Sequence, residues 1–162
     1  MDMFPVYSAT PECLRLGTDE IVVHATSAQT GGALFAVEIR MPPGGGPPVM
    51  HRHDPGEVYL VLQGEFTFYA QDPDGSARRW TAAAGAVVPL AGGTPHTICN
   101  ESDAGAAAFV VHAPGAPMEG FLRAGAALAA GGDPGMDAVL AIAARHGIEL
   151  LGPIPAAGRN RA

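Results

Sequence analysis

Between residues 21 and 112 the chain runs as short apolar stretches cut by glycine, proline, asparagine and aspartate. The clearest is Ala33–Met41, where Phe35, Val37 and Ile39 face one way and Glu38 and Arg40 the other. This is the period-two alternation of a half-buried strand. Met41–Pro48 carries four prolines and three glycines and must be a loop, since these residues support neither helix nor ladder. Further strands are predicted at Val49–His53, Glu57–Leu62, Gly64–Ala70, Ala77–Ala82, Ala86–Leu90, Pro95–Asn100 and Ala106–His112. Ile21–Ala25 precedes them, with a short candidate at Leu14–Leu16. Turn chemistry separates the runs: Asp54-Pro55-Gly56, Gln63-Gly64, Asp72-Pro73-Asp74-Gly75, Gly92-Gly93 and Asp103-Ala104-Gly105. Regularly spaced short strands of this kind point to an all-β antiparallel sandwich or barrel.

After Pro117 the period changes. Met118–Ala130 is rich in alanine and leucine and reads as a helix. A second helix is expected with Asp133 as N-cap and Pro134 at its first position. Its apolar stripe is Met136, Val139, Leu140 and Ala143, and it should stop at His146-Gly147. Ile148–Leu151 reads as a last extended segment. The chain therefore divides into an N-terminal arm (1–20), a β-domain (21–115), a helical segment of the same domain (116–152) and a flexible tail (153–162). No internal repeat is visible.

With 162 residues, 48% of them hydrophobic, the chain can bury a core of its own. Its net charge of −7 and lack of a basic stripe argue against nucleic acid as a partner. All nine basic residues are arginine, so Schiff-base chemistry is excluded. Cys13 and Cys99 form no CxxC pair and suggest no disulfide framework. The four serines lie outside any GxSxG context, which leaves nucleophilic hydrolysis unsupported. The opening residues MDMFPVYSAT show neither the charged nor the apolar region of a signal peptide, and no apolar run is long enough for a bilayer. A cytoplasmic protein without membrane contact is the expectation.

The chemistry concentrates at His51-Arg52-His53, with Glu57 shortly after and His96 further on. Two imidazoles at i and i+2 of a strand point the same way. A third imidazole and a carboxylate at the same spot would form a three-nitrogen, one-oxygen site for a divalent transition metal. Alone, the HxH pair is weak, because strand histidines are often satisfied locally. His24, His112 and His146 are given that plain reading, since none has a ligand partner at useful spacing. Cys99 is read as a small buried hydrophobe.

The surrounding spacing is more specific. Gly45, His51, His53, Glu57 and Gly64 are separated by five, one, three and six residues, and Gly85, Ala91, Gly93, His96 and Asn100 by five, one, two and three. In this the chain resembles the cupin superfamily over about Ala33–Ala113. It departs once, with Ala91 where the family usually has proline. The resemblance implies a jelly-roll β-barrel of six to eight strands carrying the two C-terminal helices. It further implies metal ligation by His51, His53, Glu57 and His96. The ion is one of Fe, Mn, Ni, Co, Cu or Zn, among which imidazole and carboxylate do not choose.

Strand parity names a pocket. Ile98 and Asn100 should share the inward face of His96, with Thr97 and Cys99 pointing away, while Tyr59 and Val61 follow Glu57. Phe35, Val37, Ile39, Phe66 or Phe68, Val88 and Phe109 would supply an apolar wall, and Arg52 should turn outward. Tyr59 is either a substrate-orienting hydroxyl or a core aromatic; Asn100 is read as structural. Such a pocket suits a small aromatic or enolisable substrate better than a phosphorylated sugar.

With its tail Gly147–Pro155, the chain is similar to small bacterial quercetin 2,3-dioxygenase-like proteins. That similarity implies an oxygenase in which Glu57 also acts as catalytic base. The alternatives are an oxygen-independent isomerase, cyclase or lyase, and a non-enzymatic metal- or small-molecule-binding protein. Cupins commonly dimerise, which gives the N-terminal arm a role at a partner's sheet edge and makes a homodimer the expected assembly.

Overall fold

The computed structural model describes residues 10–154. Residues 1–9 of the expected arm and 155–162 of the expected tail lie outside the described residues. Eleven strands and two helices follow in order: β1 (Cys13–Leu16), β2 (Asp19–Ala25), β3 (Phe35–Met41), β4 (Val49–Arg52), β5 (Gly56–Gln63), β6 (Glu65–Gln71), β7 (Ala77–Ala83), β8 (Val87–Leu90), β9 (His96–Cys99), β10 (Ala106–Ala113), α1 (Ala116–Ala130), α2 (Met136–Arg145) and β11 (Glu149–Pro153).

They build two antiparallel sheets, one ordered β1-β2-β3-β10-β5-β8 and the other β11-β4-β9-β6-β7. The expected jelly-roll barrel takes the form of two sheets that are not closed on each other, to which β1 and β2 and, at the other end of the chain, β11 add strands. Phe35, Val37, Tyr59 and Val110 of the first sheet meet Phe66, Phe68 and Ile98 of the second in one buried core. Tyr59 stands edge-on to Phe68 at 5.2 Å, and Phe68 stacks on Trp80 at 5.7 Å. Centroid spacings in this range are those of favourable aromatic pairs.

Turn residues set the register. Gly64 links β5 to β6 at φ +70°, and a Cβ there would lie 2.6 Å from the Gly105 carbonyl oxygen. Both the left-handed backbone and the close approach demand glycine. Asn100 ties the proline-rich loop to β9. Its Nδ2 donates to the carbonyls of Met41 (2.9 Å) and Ala104 (2.7 Å), and its Oδ1 accepts from the N–H (3.0 Å) and hydroxyl (2.7 Å) of Ser102. The same loop covers the back of β9: Thr97, expected to point away, is fully buried and donates to the Pro47 carbonyl at 3.3 Å.

Both helices differ from expectation at their starts. Helix α1 begins at Ala116, with Pro117 in the first turn, where its missing N–H costs nothing. Helix α2 is capped by Gly135 instead of Asp133: Gly135 is extended (ψ 150°) and its carbonyl accepts from Ala138, so Pro134 lies outside the helix. Asp137 then falls in the first turn, where a negative charge complements the helix dipole. Glu119 of α1 accepts from the Ser27 N–H (2.7 Å) and hydroxyl (2.6 Å) and pairs with Arg123, which also reaches Glu12. These bonds hold α1 beside β1. Neither helix is long and apolar enough to cross a membrane.

On the outer face of the six-stranded sheet the usual polar alternation fails. Val58, Leu60 and Leu62 of β5 and Val87 of β8 are 38–61% exposed. Phe109 and Val111 of β10 lie beside Leu60 and Val58 in register. Phe109, expected in the pocket wall, is therefore on the outside, because parity from the buried Ala108 and Val110 turns it away.

Asn100→Leu should lower stability by roughly 2–4 kcal/mol, since it strands two buried carbonyls and the donors of Ser102. Urea unfolding followed by tryptophan fluorescence measures this; a midpoint equal to wild type would show that Asn100 does not tie the loop.

Candidate metal centre

Two registered strand pairs bring the polar side chains together. His51 of β4 faces His96 of β9 in the five-stranded sheet. Glu57 of β5 faces His112 of β10 in the six-stranded one. His53 follows β4 in the turn that leads to β5. The five side chains thus meet from opposite sheets.

The ligating atoms of His51, His53 and His96 lie within 4.8 Å of one another. His53 Nδ1 lies 2.9 Å from the Pro55 carbonyl oxygen, and His96 Nδ1 lies 2.7 Å from that of Thr94. An imidazole that donates through Nδ1 keeps a lone pair on Nε2, and that is how protein carbonyls orient metal-binding histidines. Glu57 Oε1 is 2.5 Å from His96 Nε2 and 3.8 Å from His53 Nε2. Yet His53 Nε2, His96 Nε2 and Glu57 Oε1 are all buried without an aligned hydrogen bond. Buried polar atoms are almost always paired, so three convergent orphans fit a shared cation. The donor set, imidazole and carboxylate without thiolate, suits a first-row divalent ion.

Electrostatics agree. Burial, assisted by the neighbouring His96, pushes His51 down to about 3, and burial also lowers His53. Both are neutral at ordinary pH, as a ligand must be. Burial pushes Glu57 up, but the imidazoles of His112 and His96 outweigh it and hold the carboxyl well below the usual range. Burial works to lower His96, and the Glu57 carboxylate overcomes it, so His96 is raised. The Tyr59 phenol is driven well above its ordinary value by burial and by Glu57.

The structure gathers His51, His53 and His96 into one cluster, and Glu57 lies against it through His96 and His53. Arg52 does turn outward and pairs with Glu149 of β11 at 2.5 Å. Phe35, Val37, Tyr59, Val61, Phe68 and Ile98 all belong to the buried core. His112, given a plain reading from sequence, instead lies inside β10 with its Nδ1 3.0 Å from Glu57 Oε2. The signal was available: Ala106, Ala108, Val110 and His112 alternate inward along one strand. His24 remains at the surface, 3.6 Å from Glu38, and His146 caps α2. Burial pushes the half-buried Cys99 thiol up to about 11, which leaves it unreactive.

Residues 37–112 match the family described as the cupin domain. Among curated proteins no relative matches the chain. Oxalate decarboxylase from Bacillus subtilis, in its structure at pH 4.6, aligns with a TM-score of 0.58 and 19% identity over 71% of this chain and 31% of that one. A structure from work on the Mn(II) centres of the same enzyme gives a TM-score of 0.56 and 18% identity, covering 69% of this chain and 31% of that one. A cupin-superfamily sugar phosphate isomerase from Silicibacter pomeroyi covers 60% of each chain at 19% identity with a TM-score of 0.49. This chain spans about a third of the decarboxylase's length. The fold is the cupin fold.

Below pH 6.5 the unfolded chain protonates His51 while the folded metal-free protein resists it down to about 3. The unfolded state then binds more protons, so stability falls as pH drops through that window. Urea midpoints measured from pH 7 to pH 4 should fall, and fall less in His51→Gln. An equal slope in both proteins would remove His51 as the cause.

Proposed function

We propose that the chain is a metal-dependent cupin in which His51, His53, His96 and Glu57 hold one divalent transition ion. The reading rests on one observation, the convergence of buried, unpaired Nε2 and Oε1 atoms between the two sheets. Oxalate decarboxylase, which shares the fold, has Mn(II) centres. A divalent ion in such a site supplies Lewis acidity toward an oxygen donor of the substrate.

The finer reading is a quercetin 2,3-dioxygenase-like oxygenase acting on a small aromatic or enolisable molecule. Its support lies in the apolar core that surrounds the ligands and in the absence of a cation aimed at them from the motif, since Arg52 is engaged with Glu149. Nothing in this set would neutralise a phosphate. Of the two roles expected of Glu57, ligand is the better supported, because a carboxylate held at low pKa is a poor proton acceptor. The backbone carbonyls of Pro55 and Thr94 fix the rings of His53 and His96, so the ligands need little reorganisation on loading.

Elemental analysis should find about one equivalent of a divalent transition metal in wild-type protein and little in a His51→Ala, His53→Ala double variant. Equal content in both would misplace the site. With quercetin in air, the loaded protein should bleach the visible band and release carbon monoxide. No turnover with any reconstituted metal would remove that substrate, and turnover without oxygen would favour an isomerase, cyclase or lyase. Ligand-dependent thermal stabilisation without any chemical change would favour a binding protein.

For the assembly we propose a homodimer through the outer face of β5, β8 and β10. Residues 13–16 of the arm pair with β2 of their own chain. By contrast, the outward positions Val58, Leu60, Leu62, Val87 and Phe109 form an uncharged patch on a protein of net charge −7. Two copies so charged approach most easily through a patch whose own side chains carry no charge, bordered by Glu38 beside Phe109. Light scattering at micromolar concentration should give the mass of a dimer, and Leu60→Glu should give that of a monomer; a monomeric wild type overturns the proposal.

A further inference from the structure

We propose that His112 is a positioning residue that holds Glu57 by its outer oxygen and so leaves a single oxygen, Oε1, for the metal. The inference rests on the metal-site reading above and deepens it.

Glu57 presents its two oxygens to different neighbours. Oε1 lies against His96 Nε2 at 2.5 Å and within 3.8 Å of His53 Nε2. Oε2 is 3.0 Å from His112 Nδ1. Neither Glu57 nor His112 belongs to the three-histidine cluster whose ligating atoms lie within 4.8 Å of one another; Glu57 meets that cluster through Oε1, and His112 meets the carboxylate at its other oxygen. Its Nδ1 is buried without an aligned hydrogen bond, and Oε2 is the acceptor within its reach. An imidazole nitrogen taken out of water needs a partner, and a charge-assisted bond to a carboxylate is the strongest this site offers.

The imidazole is firmly placed. His112 sits on β10, in the middle of its sheet, opposite Phe35 of β3 on one side and Glu57 of β5 on the other. Its ring stacks on that of Phe35 with centroids 6.1 Å apart and planes 24° from parallel. Backbone register and the stacking on Phe35 therefore set where the His112 ring lies beside Glu57. Held by Oε2, Glu57 contributes one oxygen instead of two, which keeps one more coordination position free for substrate. Partners of this kind to a ligating group contribute as much as tenfold to a hundredfold in metal affinity.

The test is titration of the metal-free protein with Co(II), followed by the visible d–d spectrum. His112→Phe keeps the stacking on Phe35 and removes the donor; it should weaken Co(II) binding about tenfold to a hundredfold and shift the bands. His112→Asn returns an N–H donor near the Nδ1 position and should bind within about threefold of wild type, with its spectrum. A His112→Phe variant with wild-type affinity and spectrum overturns the proposal, as does an asparagine variant no better than the phenylalanine one. Should His112→Phe fail to fold, the wild type still decides the matter. In metal-free protein, long-range proton–nitrogen NMR should find the His112 proton on Nδ1, and a proton on Nε2 alone overturns the pairing. If wild type binds no Co(II) at all, the metal-site reading fails, and the NMR result separately settles the His112–Glu57 pair.

Discussion

An acceptor nitrogen and an acceptor oxygen cannot rest 2.5 Å apart in a dry interior unless positive charge lies between or beside them. Glu57 Oε1 and His96 Nε2 are in that position, from opposite sheets, both buried. In the metal-free protein the charge must come from a proton, which is why Glu57 is held low and His96 is raised. Neither His51 nor His53 will take it, since burial keeps both neutral. His51, His53 and His96 would offer their lone pairs to a divalent ion, whose two charges would take the place of that one proton. On the proposed metal-site reading, loading would relieve an electrostatic tension that the fold itself creates.

The pairing of strands is what forces this meeting. His51 and His96 are direct partners across β4 and β9, and Glu57 and His112 across β5 and β10. A slip of one residue in either ladder would turn the side chains to the opposite face. The turns therefore matter to the chemistry. Gly64 must be glycine because the backbone is left-handed there and Gly105 presses on it. Asn100, four residues past His96, locks the loop that precedes β4, so the strands bearing His51 and His96 are fixed by one amide group.

Much of this was legible in the chain. Alternation found the strands because one face of each is buried and period two is then unavoidable. The HxH pair found its own geometry, and Arg52 was correctly sent outward by the same parity. What covers the second face was not legible: parity turns Thr97 away from the ligands, and only the folded loop at Pro47 shows what buries it there. Closure was not legible either, because strand count says nothing of whether edges meet. The start of α2 was misread since Asp-Pro is a strong local signal, whereas Gly135 wins by adopting the extended cap conformation. His112 was missed for a different reason. It has no neighbour of its own type nearby in sequence, and its role exists only through a cross-strand partner 55 positions earlier (112 − 57).

That last contact bears on what the carboxylate can do. A base must want a proton, and Glu57, flanked by two imidazoles, is among the groups here least inclined to accept one. Its negative charge is instead an asset to a cation, and a carboxylate already desolvated in the folded protein need not shed water to bind it. If proton abstraction is part of the reaction, the acceptor must gain basicity from something this set of residues does not offer Glu57 before loading. Binding of the ion would draw the His96 proton away, while the His112 contact on Oε2 remains and continues to favour the ionised form. Under the proposed function, the arrangement would favour a chemistry in which substrate enters already as an anion, or gives up a weakly held proton, over one that asks a strong base of Glu57. An enol of low pKa meets that condition, and an unactivated alcohol does not.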